Sequence, residues 1–251
     1  MSKTYKGDVT GNVVELNLLD ANEGTLPNLG TPTIITKNTG PRVIEQVVGD
    51  IPDYAVGSSP YYNDLTLKGL VIGTSCTSIG SYSFTYCGIT SLSIPESVTS
   101  IGYYAFGLCS ALAGQFKTPA LVIPDSVTSI GAYAFINCSN INGPITIGNS
   151  VASIGDYCFY GCLNITSPLV IPDSVTSIGS YAFSGCSSLS DIYVDCPASS
   201  WVGTQALVGA NINVMYVNDV VALGYTAGTQ TFQGESLTIA NWDNYPNPIP
   251  N

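Results

Sequence analysis

Apolar residues in the middle of the chain follow a pattern of short alternation, a break and a second inward-facing stretch. In the segment 91–112, Leu92 and Ile94 alternate with serines, which predicts a short strand with one buried face. Pro95 ends that strand, because proline has no backbone N–H to donate to a β-ladder. Ile101 then marks a second short extended stretch, and Gly-rich and aromatic residues follow it as a turn. One such unit is too small to bury its apolar face alone.

The same unit repeats along the chain. The sequence Val-Ile-Pro-Asp-Ser-Val-Thr-Ser-Ile-Gly occurs at 122–131 and again at 170–179. The isoleucine of the Ile-Gly pair recurs every 22 to 29 residues, at Ile79, Ile101, Ile130, Ile154 and Ile178. A period of this size is typical of a solenoid, in which each coil buries its apolar face against its neighbours. We therefore predict a mainly β repeat solenoid of about five coils, with stacked parallel strands and short irregular or 3-10 segments.

The repeat resembles the BspA-like class of leucine-rich repeats, whose pattern is roughly L-x-x-I-x-I-P-x-x-V-x-x-I-G-x-x-A-F-x-x-C-x-x-L. Residues 91–112 match it almost position by position, and an insertion at 113–119 is expected to bulge from one face. The resemblance implies a leucine-rich-repeat solenoid with an interaction function, since such repeats are associated with bacterial and protist surface adhesion. The predicted organisation is an N-terminal cap or attachment segment at 1–64, the solenoid at 65–196 and a β-rich C-terminal cap at 197–251.

Cysteines follow the register of the repeat. One equivalent position is cysteine in five coils, at Cys87, Cys109, Cys138, Cys162 and Cys186. Cys76 and Cys158 stand where other coils have valine or alanine, so these seven are predicted to be small buried hydrophobes. Disulfides between neighbouring coils are the alternative, because a stacking distance of roughly 4.8 Å permits a bridge. Cys196 lies outside the register and is predicted to be the most exposed thiol.

Two repeated positions are candidate interaction surfaces. The first is a row of tyrosines, expected on the convex side, partly exposed and stacked: Tyr82, Tyr104, Tyr133, Tyr157 and Tyr181. It is either a structural ladder that covers the coil edges or an aromatic platform for a protein partner or glycans.

The second candidate is a row on the presumed sheet face: Val71, Ser93, Val122, Thr146 and Val170. It reflects strand propensity alone or forms a flat, weakly apolar docking strip. An acidic row of Glu96, Asp125 and Asp173 at the turns is expected to be solvated turn chemistry.

The amino-acid composition argues against several classes of function. Charged residues make up only 9% of the chain, the net charge is −11, and there is no histidine. A nucleic-acid partner needs clustered Lys and Arg, so none is expected. Histidine-based catalysis is excluded, and we expect a protein that is not an enzyme and holds no cofactor. No metal site is expected either, since the acidic group at Asp20–Glu23 does not match a calcium loop and no C-x₂-C pair is present.

Location is inferred from what the chain lacks. It has no apolar run of about 18 residues, so no membrane insertion is expected, and its first residues lack the apolar segment of a secretory signal. The leading hypothesis is a non-enzymatic, multicopy structural or binding protein on the surface of a phage-like virion. It would be a capsid decoration, tail or fibre component that acts through contacts with other virion or surface proteins or with host glycans. The alternatives are a secreted bacterial or protist cell-surface adhesin and an accessory domain of an enzyme.

Overall fold

The computed structural model describes residues 49–54, 59, 61–65, 67–114 and 121–242, together with the backbone of four short strands that precede them. The described chain contains one 3-10 helix, Ala198–Ser200, and is otherwise built from strands and turns. The strands are β1 (Lys3–Tyr5), β2 (Leu16–Leu18), β3 (Thr33–Ile34), β4 (Ile44–Val48), β5 (Gly69–Ile72), β6 (Ser78–Ile79), β7 (Ser91–Ser93), β8 (Ser100–Ile101), β9 (Leu121–Val122), β10 (Ser129–Ile130), β11 (Ile145–Thr146), β12 (Ser153–Ile154), β13 (Leu169–Ile171), β14 (Ser177–Ile178), β15 (Asp191–Val194), β16 (Val214–Val217), β17 (Gly228–Phe232) and β18 (Glu235–Asn241).

One set of strands stacks in parallel along the solenoid, which confirms the predicted architecture. Strands β4, β5 and β7 pair in parallel, β9 pairs with β11, and β13, β15, β16 and β18 form a third parallel series. Equivalent apolar residues face each other, as where Leu70 lies opposite Leu92. Antiparallel neighbours flank the series at both ends, where β3 pairs with β4 and β17 pairs with β18.

The Ser-Ile strands form a second, continuous parallel sheet in the order β6, β8, β10, β12 and β14. Their isoleucines are all buried, and Ile51 extends this sheet by an isolated bridge to Ile79. The part of the solenoid that the structure describes has about seven turns rather than the five predicted. The additional turns were not predicted because their sequences lack the proline and the Ile-Gly pair of the repeat at the usual positions. Their strands β15 and β16 nevertheless join the stack through backbone pairing. The boundaries at residues 64 and 196 stay predictions.

Polar side chains inside the solenoid bond to the coil before them. The serine after the turn acid donates to a carbonyl of the preceding coil, as in Ser126 Oγ to Val98 O at 2.7 Å and Ser174 Oγ to Val151 O at 2.9 Å. The repeated cysteines do the same inside the core. Cys138 Sγ donates to Phe106 O at 3.1 Å. The thiol therefore donates a hydrogen bond to a buried carbonyl oxygen. An apolar side chain of similar size, such as valine, could not provide that bond.

All eight cysteines are free and buried, so the seven predicted core cysteines are confirmed and the disulfide alternative is not adopted. The prediction for Cys196 was wrong. Its side chain is fully buried, because the coil continues and Tyr225 closes over it, donating from Oη to Cys196 O at 3.0 Å. Trp201 Nε1 in turn donates to the same Tyr225 hydroxyl at 2.8 Å. Burial raises the pKa of Cys196 to about 11, which keeps this thiol protonated and unreactive at neutral pH.

Candidate interaction surface

The turn that follows each Ser-Ile strand positions the repeated tyrosines. Tyr82, Tyr104, Tyr133, Tyr157 and Tyr181 all have left-handed backbones, with φ between 54° and 60°. Their N–H groups bond across to the next coil, as in Tyr133 N to Asp156 O and Tyr157 N to Ser180 O, both at 2.8 Å. This conformation is uncommon for a bulky residue, and the ladder of backbone bonds enforces it.

The five side chains form a continuous tyrosine stack. Successive ring centroids lie 5.7, 5.3, 4.9 and 4.8 Å apart, with interplanar angles of 22°, 17°, 8° and 15°. Every one of these tyrosines is partly exposed. The predicted exposure and stacking are confirmed, whereas a role in binding stays a prediction.

Further aromatic residues widen this surface. Tyr103 lies 5.3 Å from both Tyr82 and Tyr133, and Tyr160 lies 5.6 Å from Tyr157, measured between ring centroids. Both of these side chains are exposed, as is Tyr86 at 43%. Sequence reasoning missed these three because their positions are not tyrosine in other coils. The signal available was the total of 16 tyrosines in the chain, which the repeated row does not account for.

Three phenols of this surface, those of Tyr103, Tyr104 and Tyr157, have a raised pKa. Burial, followed by the charge of neighbouring phenols, raises the pKa of Tyr103 and Tyr104 above the usual value. The pKa of Tyr157 is raised for the same reasons. The surface therefore combines apolar ring edges with hydroxyl donors and acceptors.

The sheet-face row is less continuous than the tyrosine stack. Val71 lies opposite Ser93, and Val122 opposite Thr146, but these two pairs belong to different sheets. Val170 belongs to a third sheet, where it lies opposite Tyr193. Four members of the row are half-buried and Thr146 is exposed. Strands β11 and β13 are also neighbours, so the row continues from Val122 through Thr146 to Val170. Its role as a docking strip stays a prediction.

The acidic turn residues Glu96, Asp125 and Asp173 are exposed. Asp125 Oδ1 accepts a hydrogen bond of 2.7 Å from the backbone N of Asn149 in the next coil, which is turn chemistry. The segment Asp20–Glu23 and residues 115–119 of the insertion lie outside the described residues.

The described residues contain no group of three or more His, Cys, Asp or Glu side chains placed to hold a metal ion. Within the same residues, no helix has the length and apolar character needed to cross a membrane.

The sequence of the coils decides the family. Residues 54–120 and 111–238 match the BspA type leucine rich repeat region, in 6 copies. The chain belongs to the BspA-type leucine-rich repeat family. The match covers more than half of the chain and confirms the resemblance drawn from the repeat itself. No curated protein matches the chain.

Several solved structures are similar to this BspA-type protein. A leucine rich cell surface protein from Faecalibacterium prausnitzii is 22% identical over 73% of this chain, with a TM-score of 0.39. A leucine-rich repeat protein from Eubacterium ventriosum is 18% identical over 84% of this chain and 82% of its own, with a TM-score of 0.40. The pneumococcal vaccine antigen PcpA is 16% identical over 68% of this chain and 56% of its own, with a TM-score of 0.43. The chain spans 61% of the length of the F. prausnitzii protein.

Proposed function

We propose that this chain is a non-enzymatic protein of a cell surface that binds a protein partner through the tyrosine stack. The proposal is supported by membership of the BspA-type family, whose repeats are associated with surface adhesion. The absence of histidine and the uncharged, aromatic character of the stack also favour binding over catalysis.

The observation that carries the proposal is that the coil does not need tyrosine at this position. The coil after Tyr181 has Gln205 at the equivalent place, with the same left-handed backbone (φ 56°), and the two side chains are hydrogen-bonded. A smaller polar residue is therefore accommodated by the same turn. Five consecutive tyrosines in a backbone conformation that favours glycine are better explained by contact with a partner than by folding.

The geometry of the stack favours a protein surface as the partner. The faces of the inner rings are covered by their neighbours, so the groups that point outward are ring edges and hydroxyls. Tyrosine offers large contact area at a low cost in conformational entropy, and it is enriched in protein interfaces for that reason. Repetition at the coil spacing adds equivalent contacts side by side, and display in many copies would raise the avidity further.

The cell surface is a better supported location than a virion. The family match favours the adhesin hypothesis, and no observation on the described residues favours a capsid, tail or fibre role over it. The location is tested by antibody labelling of intact source cells. The same labelling is measured on material that is protected from added protease and on purified virions, for comparison. Labelling of purified virions alone would overturn the proposed location.

The binding role is tested with beads that carry the purified chain, counted on cultured epithelial monolayers. The triple variant Tyr104→Gln, Tyr133→Gln, Tyr157→Gln copies the residue found at position 205. We expect it to reduce bead adhesion at least about tenfold, as for loss of interface hot spots. Protease treatment of the monolayer should have the same effect, whereas enzymatic removal of glycans should not.

The matched control is a second triple variant, Val71→Gln, Val122→Gln, Val170→Gln, on the sheet-face row. It should retain adhesion and the same far-UV circular dichroism. Full adhesion by the tyrosine variant together with loss in the sheet-face variant would show that the sheet face, not the stack, binds the partner.

A further inference from the structure

A second left-handed position follows each tyrosine of the stack by four residues. It is occupied by Tyr86, Leu108, Asn137, Gly161 and Gly185, and in the next coil Gly209 follows Gln205 in the same way, with φ between 54° and 74° for all six. The column thus carries side chains in its first three coils and glycines in the next three. The Asn137 side chain covers Gly161, and beyond it the surface steps down to the bare backbone of Gly185.

A groove of about 510 Å³ lies along this step. Its lining comes from five successive coils and consists of Tyr86, Leu108, Ser110, Asn137, Ser139, Tyr160, Gly161, Leu163 and Gly185. A Cβ at Gly185 would meet only the Gly161 backbone, at 3.6 Å, so the glycine keeps this part of the groove open. The volume is within the range of small-molecule sites, which is about 300–1,000 Å³.

The lining has the chemistry of a site for an uncharged polyhydroxyl ligand. Tyr86 and Tyr160 are exposed and meet their aromatic neighbours tilted or edge-on, at 74° and 55°, so their rings are not stacked in parallel. An aromatic face carries partial negative charge and attracts the C–H groups of a sugar ring. Asn137 and the two serines add amide and hydroxyl groups that pair with sugar hydroxyls.

Charge excludes an anionic ligand from this groove. None of the described lining residues is charged. The chain as a whole has 17 acidic residues against 6 basic ones, so the surrounding field repels anions. We propose that the groove binds a neutral oligosaccharide, independently of the protein partner assigned to the tyrosine stack.

The test uses defined probes on the full chain. Neutral hexasaccharides of glucose, mannose, galactose and N-acetylglucosamine are compared with their sulfated counterparts by saturation-transfer NMR and titration calorimetry. We expect saturable binding of at least one neutral probe and none of the sulfated ones. Binding of sulfated probes alone, or of no probe, would overturn the proposal.

Two glycine variants locate the site. Gly185→Asn fills the groove with the residue that the same column has at position 137, and asparagine tolerates the left-handed backbone. Gly209→Asn is the matched control, because Gly209 has nearly the same φ (74° against 72°) and a similar clearance but does not line the groove. We expect Gly185→Asn to weaken binding of the neutral probe about tenfold or more and Gly209→Asn to leave it unchanged.

Tyr160→Ala supplies a second measurement that does not depend on how the glycine variant folds. It removes an exposed ring from the groove and should also abolish binding of the neutral probe. Equal binding by the unmodified chain, Gly185→Asn and Tyr160→Ala would assign the sugar to another surface and refute the site.

Discussion

Two aromatic stacks run along the solenoid, at positions two residues apart in each coil. Their ring spacing is similar, but one stack is buried and the other lies at the surface. The buried stack is formed by Phe84, Phe106, Phe135, Phe159 and Phe183, whose centroids lie 5.2 to 5.4 Å apart. The tyrosine stack has a similar spacing, 4.8 to 5.7 Å, but lies at the surface. The distance between coils therefore imposes ring stacking on both columns, and stacking by itself does not reveal which column serves folding.

The next coil separates the two roles. Beyond Phe183 the buried column continues as Leu207, which is fully buried, whereas beyond Tyr181 the surface column continues as Gln205. The core position keeps its apolar character and changes only its shape, while the surface position loses the ring altogether. Burial thus requires an apolar residue at each position of the phenylalanine column. Stacking of the coils does not require an aromatic residue in the tyrosine column, so that column is available for binding.

The largest predicted difference between the stacks is in stability. Phe135→Ala removes a fully buried ring and should lower the free energy of unfolding by about 3–5 kcal/mol. Tyr133→Ala removes a half-exposed ring from the tyrosine stack of the same coil. It should lower the free energy of unfolding by no more than about 1–2 kcal/mol. Guanidinium unfolding followed by circular dichroism measures both. Similar losses for the two variants would mean that the tyrosine stack is structural.

Alkaline pH should act mainly through the buried column, because four of the five repeated cysteines donate to a phenylalanine carbonyl and the fifth, Cys87, donates to Tyr61 O. Burial raises the pKa of Cys186 to about 12, from an ordinary value near 9. A raised pKa in the folded state means that the unfolded chain releases its proton first. Stability is therefore intact below about pH 9 and falls as the pH rises toward 12, by up to about 1.4 kcal/mol per pH unit for each such thiol.

The variant Cys186→Ser isolates this effect, since its hydroxyl keeps a donor for Phe159 O but does not titrate in that range. It should reduce the slope of stability against pH between pH 9 and 10, measured by denaturant unfolding at each pH. Tyr157→Phe is the control on the surface column and should change the slope only above about pH 10, where free phenols ionise. An unchanged slope in Cys186→Ser would contradict the assignment to buried thiols.

Sequence periodicity predicts the buried column better than the surface one. The alternation around Leu92, the Ile-Gly register and the cysteine column all reflect burial, which depends on side-chain type and spacing. The burial of Cys196 could not be predicted in this way, because Tyr225 reaches it from a coil that lacks the repeat pattern. The groove was equally hidden, since it arises where Asn137 gives way to Gly161 at a position whose backbone conformation the sequence does not display.

The smallest predicted effect concerns that backbone conformation, and it reverses sign between the two columns. At position 133 the φ of 60° favours glycine, so Tyr133→Gly should be more stable than Tyr133→Ala by about 1 kcal/mol. Phe135 has an ordinary negative φ, so Phe135→Gly should be less stable than Phe135→Ala by about 0.5–1 kcal/mol. Each pair removes the same ring, and the comparison within a pair therefore cancels stacking and burial. Unfolding of the four variants under one set of conditions measures both differences. The same sign at both positions would mean that the left-handed turn relaxes when the ring is removed, and the tyrosines would then be holding the turn rather than tolerating it.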